Sequence, residues 1–244
     1  MTGTLLGVWA HPDDEAYLTA GLMADARRRG DRVVVVYATA GERGTADPDR
    51  WPPDRLGAWR RDELRTSLAI LDVHEHQVFG YPDGGCSRLD ATDRIIEIID
   101  DVQPDTIVTF GPEGMTGHPD HRAVSTWTTT AWQAGGCRAS LWYATLTPEF
   151  HSVWGALNDD VGLWAGIDRP PCVDEDDLVH SLRLDGDFLD QKIAALRAHA
   201  SQTAPLVAFA GVDTFRDWWR TESFVDVRTH RRLADTDLIG VTSA

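Results

Sequence analysis

Cysteine is scarce: Cys86, Cys137 and Cys172 are the only three in 244 residues. An odd, scattered set with no CxxC pair makes no disulfide framework, and it suits a reducing interior. Long apolar runs are missing as well. None approaches the roughly 20 residues that a membrane-spanning helix requires, and the first residues show no basic stretch leading into an apolar signal core. The expectation is a cytoplasmic protein with no membrane insertion. Basic side chains are outnumbered, 23 Lys and Arg against 39 Asp and Glu, for a formal net charge of −16. That balance argues against a nucleic-acid partner, which needs a basic surface, and against adsorption to an anionic membrane. Repeats, low-complexity tracts and clear linkers are also absent.

What is present is enough for a large core. Hydrophobic residues make up 42% of the chain, and ten are tryptophan. The first half alternates short apolar runs with helical patterns. "TLLGVWA" (Thr4–Ala10), "RVVVVYA" (Arg32–Ala38) and "DTIVTFG" (Asp105–Gly111) read as strands buried on both faces. "HQVFG" (His76–Gly80) is a fourth strand candidate. Helical patterns cover Asp14–Arg29, Arg55–Leu71, Ala91–Val102 and Pro119–Ala134. Strand, helix and strand within about 35 residues is a βαβ unit with parallel strands. The second half is less regular. Strands are expected at Ser140–Leu146 and Leu178–Leu184, a helix at Asp187–Ala200, and an acidic loop at Asn158–Asp177. The fold class is α/β, three-layered, as a single domain.

Two polar blocks interrupt the apolar pattern. His11-Pro12-Asp13-Asp14-Glu15 follows the first strand, and "GPEGMTGHPDH" (Gly111–His121) follows another. In open parallel sheets, ligands bind outside the carboxyl ends of the strands, so the two blocks can face one crevice. Zinc takes imidazole nitrogen and carboxylate oxygen, and a catalytic site keeps one position for water. His11, Asp14 and His121 would supply two imidazoles and one carboxylate. The bland alternative is helix capping by Asp13 or Asp14, with Glu15 favouring the dipole, His118 and His121 as surface histidines, and Pro119 as a first-turn proline.

Taken together, "AHPDDE" after a buried strand and "HPDH" opening a later helix resemble the PIG-L/LmbE-like family of zinc-dependent N-acetylglucosaminyl deacetylases. "TAGERG" (Thr39–Gly44), "RRDEL" (Arg60–Leu64), "YPDG" (Tyr81–Gly84) and "KIAALRAHASQ" (Lys192–Gln202) resemble further blocks of that family. The strong matches lie in Leu5–Ala123. Residues 124–190 match nothing distinctive and are expected to shape the substrate pocket. The resemblance implies a Rossmann-like, mainly parallel sheet in one domain over 1–244. It implies one zinc ion per chain, held by His11, Asp14 and His121, with Asp13 as general base. His118 would stabilise the oxyanion and serve the leaving amine, while Asp120 would orient a histidine. Arg60 and Asp83 would touch the substrate, although the Arg60–Glu63 spacing also permits an ordinary i,i+3 ion pair.

The implied substrate is a small N-acetylated amino sugar, cleaved to acetate and a free amine. The same machinery could cleave another amide, such as a thiol conjugate or an antibiotic intermediate. Two His and one carboxylate also form the facial triad of non-haem iron oxygenases, but Asp13, a second carboxylate beside the ligand, is what hydrolysis needs. A nucleotide-binding module is disfavoured, because "VWAHPDDE" has none of the glycines of a GxGxxG turn. A homo-oligomer is compatible with the ten tryptophans.

Overall fold

The aliphatic runs at the start of the chain form the middle of one sheet. Strands β1 (Thr4–Trp9) and β2 (Arg32–Thr39) pair in parallel, with Thr4 opposite Arg32 and Trp9 opposite Tyr37. Strand β3 (Glu75–Tyr81) lies beyond β2, and β4 (Thr106–Phe110) pairs in parallel with the other edge of β1. The structure, a computed structural model, describes residues 3–240 apart from 46, 165, 166 and 168, and only the backbone of 234–240. Strand β5 (Ser140–Thr145) continues the parallel set. β7 (Thr221–Asp226) and β6 (His180–Arg183) close the far edge as antiparallel strands. The sheet order is β3-β2-β1-β4-β5-β7-β6. From β1 the chain first builds outward through β2 and β3, then crosses to β4 on the opposite side. That reversal leaves a crevice at the carboxyl ends of β1 and β4.

Helices cover both faces. α1 (Asp14–Arg28), α2 (Pro53–Ile70), α3 (Thr92–Val102) and α4 (Pro119–Ala134) agree with the sequence pattern to within two residues at each end. The second half holds more structure than the sequence suggested. α5 (Pro148–Asp160) precedes the acidic loop, and its N-cap Thr147 accepts the Phe150 N–H. The single helix expected to end at Ala200 is two, α6 (Gly186–Ala198) and α7 (Ala200–Ala210), broken at His199. α8 (Val212–Trp218), β7 and α9 (Val227–Gly240) complete the chain. α5, α7 and α8 were hidden because their apolar residues serve a second cluster around Leu189, Ile193, Phe215 and Trp218, not a local amphipathic repeat. No helix among the described residues is long and apolar enough to cross a membrane.

One buried ion pair ties the late elements to α1. Lys192 on α6 and Glu222 on β7 are 2.8 Å apart with fully buried side chains. Lys192 also donates to Tyr17 O, and Glu222 accepts the N–H groups of Gly21 and Leu22. The pair thus enters the hydrogen-bond ladder of α1 where Tyr17 and Gly21 face each other. Gly21 must lack a side chain there, since a Cβ would meet Leu184 Cδ atoms at 2.6 Å. Lys192→Met should lower unfolding free energy by about 3–5 kcal/mol, because it strands a buried carboxylate. Adding Glu222→Leu should recover little, since the Gly21 and Leu22 amides then lose their acceptor. Urea unfolding of the two variants checks both statements.

Candidate active site

The two polar blocks of the sequence meet in the crevice between β1 and β4. His11 leaves the end of β1, and His121 sits in the first turn of α4 after the loop from β4. His11 Nδ1 and His121 Nε2 face each other at 3.1 Å. The Asp14 carboxylate lies beside them, with Oδ2 3.8 Å from His11 Nδ1 and Oδ1 3.4 Å from His121 Nε2. Four ligands at about 2.0–2.1 Å around a tetrahedral ion lie roughly 3.3 Å apart, close to the separations of His121 Nε2 from His11 Nδ1 and from Asp14 Oδ1.

Hydrogen bonds on the outer nitrogens decide what the inner ones offer. His121 Nδ1 donates to Gly114 O at 3.0 Å, which leaves a lone pair on Nε2. Its ring stacks on Phe110, with centroids 4.1 Å apart. Burial, with the nearby His11 and His118, holds the His121 pKa well below the usual value, so the ring is neutral. His11 Nε2 faces Asp83 Oδ1 at 3.1 Å and Asp120 Oδ2 at 3.4 Å, which places its proton on that side. Burial opposes a charge on His11, but Asp120, Asp83 and Asp14 outweigh it and raise its pKa to about 10. Two imidazole nitrogens this close beside a carboxylate need a cation between them, either a proton or a metal ion. The donor set fits a metal ion.

Among the described residues two triplets of donor atoms lie within 4.8 Å of one another: His11, His118 and His121, and His11, Asp83 and Asp120. The second is a hydrogen-bond network. Asp120 already accepts the N–H groups of Gly84 and Cys86, and Asp83 accepts that of Arg43. His118 in the first triplet is the N-cap of α4. Its Nδ1 accepts the Asp120 N–H at 3.2 Å, so a neutral ring carries its proton on Nε2. Burial and the charge of His11 lower its pKa. His118 therefore presents a donor where His121 presents a lone pair.

Asp13 does not cap α1. It occupies the N-cap position but makes no capping bond with its side chain, and its φ is 108°. Such a conformation costs of order 1–3 kcal/mol and persists only where the surroundings hold it. They hold it at both ends of one peptide group. Arg60 donates to Pro12 O, and Glu15 Oε2 accepts the Asp13 N–H at 2.9 Å. Arg60 Nη2 also lies 3.2 Å from Asp13 Oδ2. Burial raises the Asp13 pKa to about 6, although the Arg60 charge pulls the other way. Gly41, with φ +64, lies against the Arg60 guanidinium, and a Cβ there would collide with it. That explains the first glycine of "TAGERG".

Beside Asp13, Asp14 and His121 opens a cavity of about 230 Å³. Tyr17, Phe110, Phe150, Trp164 and Trp219 supply its aromatic walls, with Leu146, Leu163 and Leu206 among the aliphatic ones. A larger groove of about 500 Å³ between α5, β6 and β7 contains none of the site residues.

Against known proteins, the sequence profile of PIG-L, described as GlcNAc-PI de-N-acetylase, matches residues 6–132. The chain belongs to the PIG-L family. It is 33% identical over 94% of its length to the 1D-myo-inositol 2-acetamido-2-deoxy-alpha-D-glucopyranoside deacetylase of Corynebacterium diphtheriae, covering 81% of that protein. The enzyme of the same name from Acidothermus cellulolyticus is 34% identical over 84% of this chain and 81% of its own. In fold it resembles the N,N'-diacetylchitobiose deacetylase of Pyrococcus horikoshii, with a TM-score of 0.62 at 20% identity over 93% of this chain and 84% of that one.

In this PIG-L chain the eight residues singled out from sequence gather around His11, and three of them, Asp13, Asp14 and His121, line the cavity. Arg60, 3% exposed, spends its guanidinium on Asp13, Pro12 and Gly41, and Asp83, 5% exposed, faces His11. Neither lines the cavity. The Arg60–Glu63 ion pair does not form either, because Glu63 accepts the backbone and hydroxyl of Ser201. Sequence reasoning assigned no role to His199, whose Nε2 lies 3.0 Å from Glu15 Oε1 in full burial. Its signal was available in "KIAALRAHASQ". Through Glu15, His199 steadies the Asp13 peptide. Glu15→Gln leaves one of these two partners mismatched, and should lower stability by about 1–3 kcal/mol. It should slow turnover at least tenfold while metal content stays constant. Calorimetry, metal analysis and kcat on one preparation read all three.

Proposed function

We propose that this PIG-L protein is a zinc-dependent N-deacetylase acting on an N-acetylglucosamine-type sugar or glycoconjugate. The observation that carries the reading is the meeting of two imidazole nitrogens, His11 Nδ1 and His121 Nε2, beside the Asp14 carboxylate, with a second carboxylate, Asp13, next in sequence. His11, Asp14 and His121 would hold the ion, for which zinc suits the mixed nitrogen and oxygen donors. Bound there, it supplies Lewis acidity to a water molecule and to the amide carbonyl. Asp13 takes a proton from the attacking water. The Nε2–H of His118 donates to the carbonyl oxygen as negative charge grows on it. As the C–N bond breaks, the proton held at Asp13 or His118 passes to the departing nitrogen, giving acetate and a free amine.

Asp120 and Asp83 keep the His11 proton on Nε2, and Arg60 fixes Asp13; in this reading all three position other groups. The names of the curated relatives, deacetylases of a 2-acetamido-2-deoxy-glucopyranoside, support the sugar class. The domain spans the whole chain, and 124–190 shape the pocket, for which the contributions of Leu146, Phe150, Leu163 and Trp164 speak. Three free cysteines agree with a cytoplasmic location. An oxygenase using the same triad gains no support, because it has no use for Asp13.

Acetate release from a panel of N-acetylhexosaminides tests the reading. Chelation should abolish release and zinc should restore it. His11→Ala and His121→Ala should lose the metal, and full retention in both would sink the ligand set. Asp13→Asn should keep metal and fold but lose about 10²–10⁴-fold in kcat; normal turnover would refute its role as the base. His118→Ala should keep the metal and slow turnover about 10²–10³-fold, the usual effect of removing an oxyanion donor. Loss of metal in His118→Ala with retention in His121→Ala would exchange their roles.

A further inference from the structure

The cavity beside the reacting groups does not suit a sugar ring. Apart from Asp13, Asp14 and His121 at its inner end, and Thr116, Gln202 and the Tyr17 phenol on its walls, its lining is aromatic and aliphatic. Its two amide or aliphatic hydroxyl side chains are already engaged within the protein. Gln202 donates to Gly44 O and Ser201 Oγ, and Thr116 Oγ1 approaches His121 Nδ1. A sugar placed there would lose water from its hydroxyl rim with few replacements, at about 1–3 kcal/mol for each unsatisfied group. An acetyl methyl, at the other extreme, is far too small for about 230 Å³.

The aromatic walls pack on one another edge-on and tilted. Tyr17 and Trp219 have ring centroids 4.4 Å apart, and Phe150 packs against Trp219 at 6.5 Å. The indole N–H groups of Trp164 and Trp219 are buried and have no hydrogen-bond partner among the described residues. Indole N–H is a donor only.

We infer that this cavity takes an apolar aglycone, an aryl or alkyl group joined through the glycosidic oxygen to an N-acetylglucosamine. The inference rests on the deacetylase reading and names the part of the substrate that the reading leaves open. The geometry of the sugar permits it. The aglycone oxygen lies four bonds from the scissile carbonyl carbon, so a group carried there starts close to Asp13, Asp14 and His121. The sugar ring then stays at the charged end beside Asp13, Asp14 and His121, and the apolar group lies along the aromatic and aliphatic walls. Burying such a group removes apolar surface from water at about 25 cal/mol per Å², a gain that a polar aglycone does not obtain.

The experiment compares methyl, phenyl and octyl N-acetyl-β-glucosaminides, a cyclitol N-acetylglucosaminide, and methyl N-octanoylglucosaminide on the zinc-loaded protein. KM from acetate or octanoate release and Kd from tryptophan fluorescence are both measured. The phenyl and octyl glycosides should bind at least about tenfold more tightly than the methyl and cyclitol glycosides, and Leu206→Asn should reduce that ratio several-fold with metal content and Tm maintained. Equal Kd across the four glycosides would overturn the inference. So would a gain confined to the N-octanoyl compound, which would make the cavity an acyl site. If no member releases acid, the deacetylase reading fails. The Kd series still decides the cavity: a retained preference for phenyl and octyl upholds it, and a flat series ends it.

Discussion

The orientation of one imidazole underlies the whole site. His11 has carboxylates on both sides, Asp83 and Asp120 at Nε2 and Asp14 at Nδ1. The outer pair holds the Nε2 proton, and Nδ1 is thereby turned toward His121 Nε2. Without Asp83 and Asp120 the ring could flip or change tautomer, and the donor set would lose its meaning. Those two carboxylates are themselves fixed, by the amides of Arg43, Gly84 and Cys86. The turn after β3 is therefore as much part of the site as the two histidine blocks.

Asp13 answers to a different constraint. A residue at φ 108° resists its own backbone, so its placement depends on neighbours that are stiff. Arg60 from α2, Glu15 from α1 and His199 from the α6–α7 junction converge on it from three elements. The Lys192–Glu222 pair then anchors α1 a turn further on, with charge buried in the middle of a helix. Burial makes each of these interactions expensive to break. That rigidity is what a carboxylate needs in order to sit beside a metal site without joining it.

The cavity adds a separate layer. Its inner end is charged and shared with the reacting groups, while its walls come from α1, α7 and the segment around α5. A PIG-L chain can thus keep one reaction centre and change what it accepts by altering walls that carry no chemistry. The apolar walls are the ground for the aglycone inference, which concerns this chain alone.

Much of the architecture was legible in the sequence, because parallel strands buried on both faces are written as continuous aliphatic runs, and "AHPDDE" and "HPDH" follow two of them. The same local signals exposed the α/β alternation, the family resemblance and the two blocks that meet at His11. Sequence could not reveal that Arg60 and Asp83 turn inward, since the direction of a side chain depends on partners that arrive from distant elements. Glu15 looked like a first-turn acid suited to the helix dipole, and only the fold brought His199 to it from 184 positions away. The late elements were obscure for a related reason: α7 and α8 bury their apolar faces against a second cluster, with no repeat of their own. Whether a group acts or positions another was decided by tertiary contact, because hydrogen-bond partners, not residue types, fix where each proton and lone pair points.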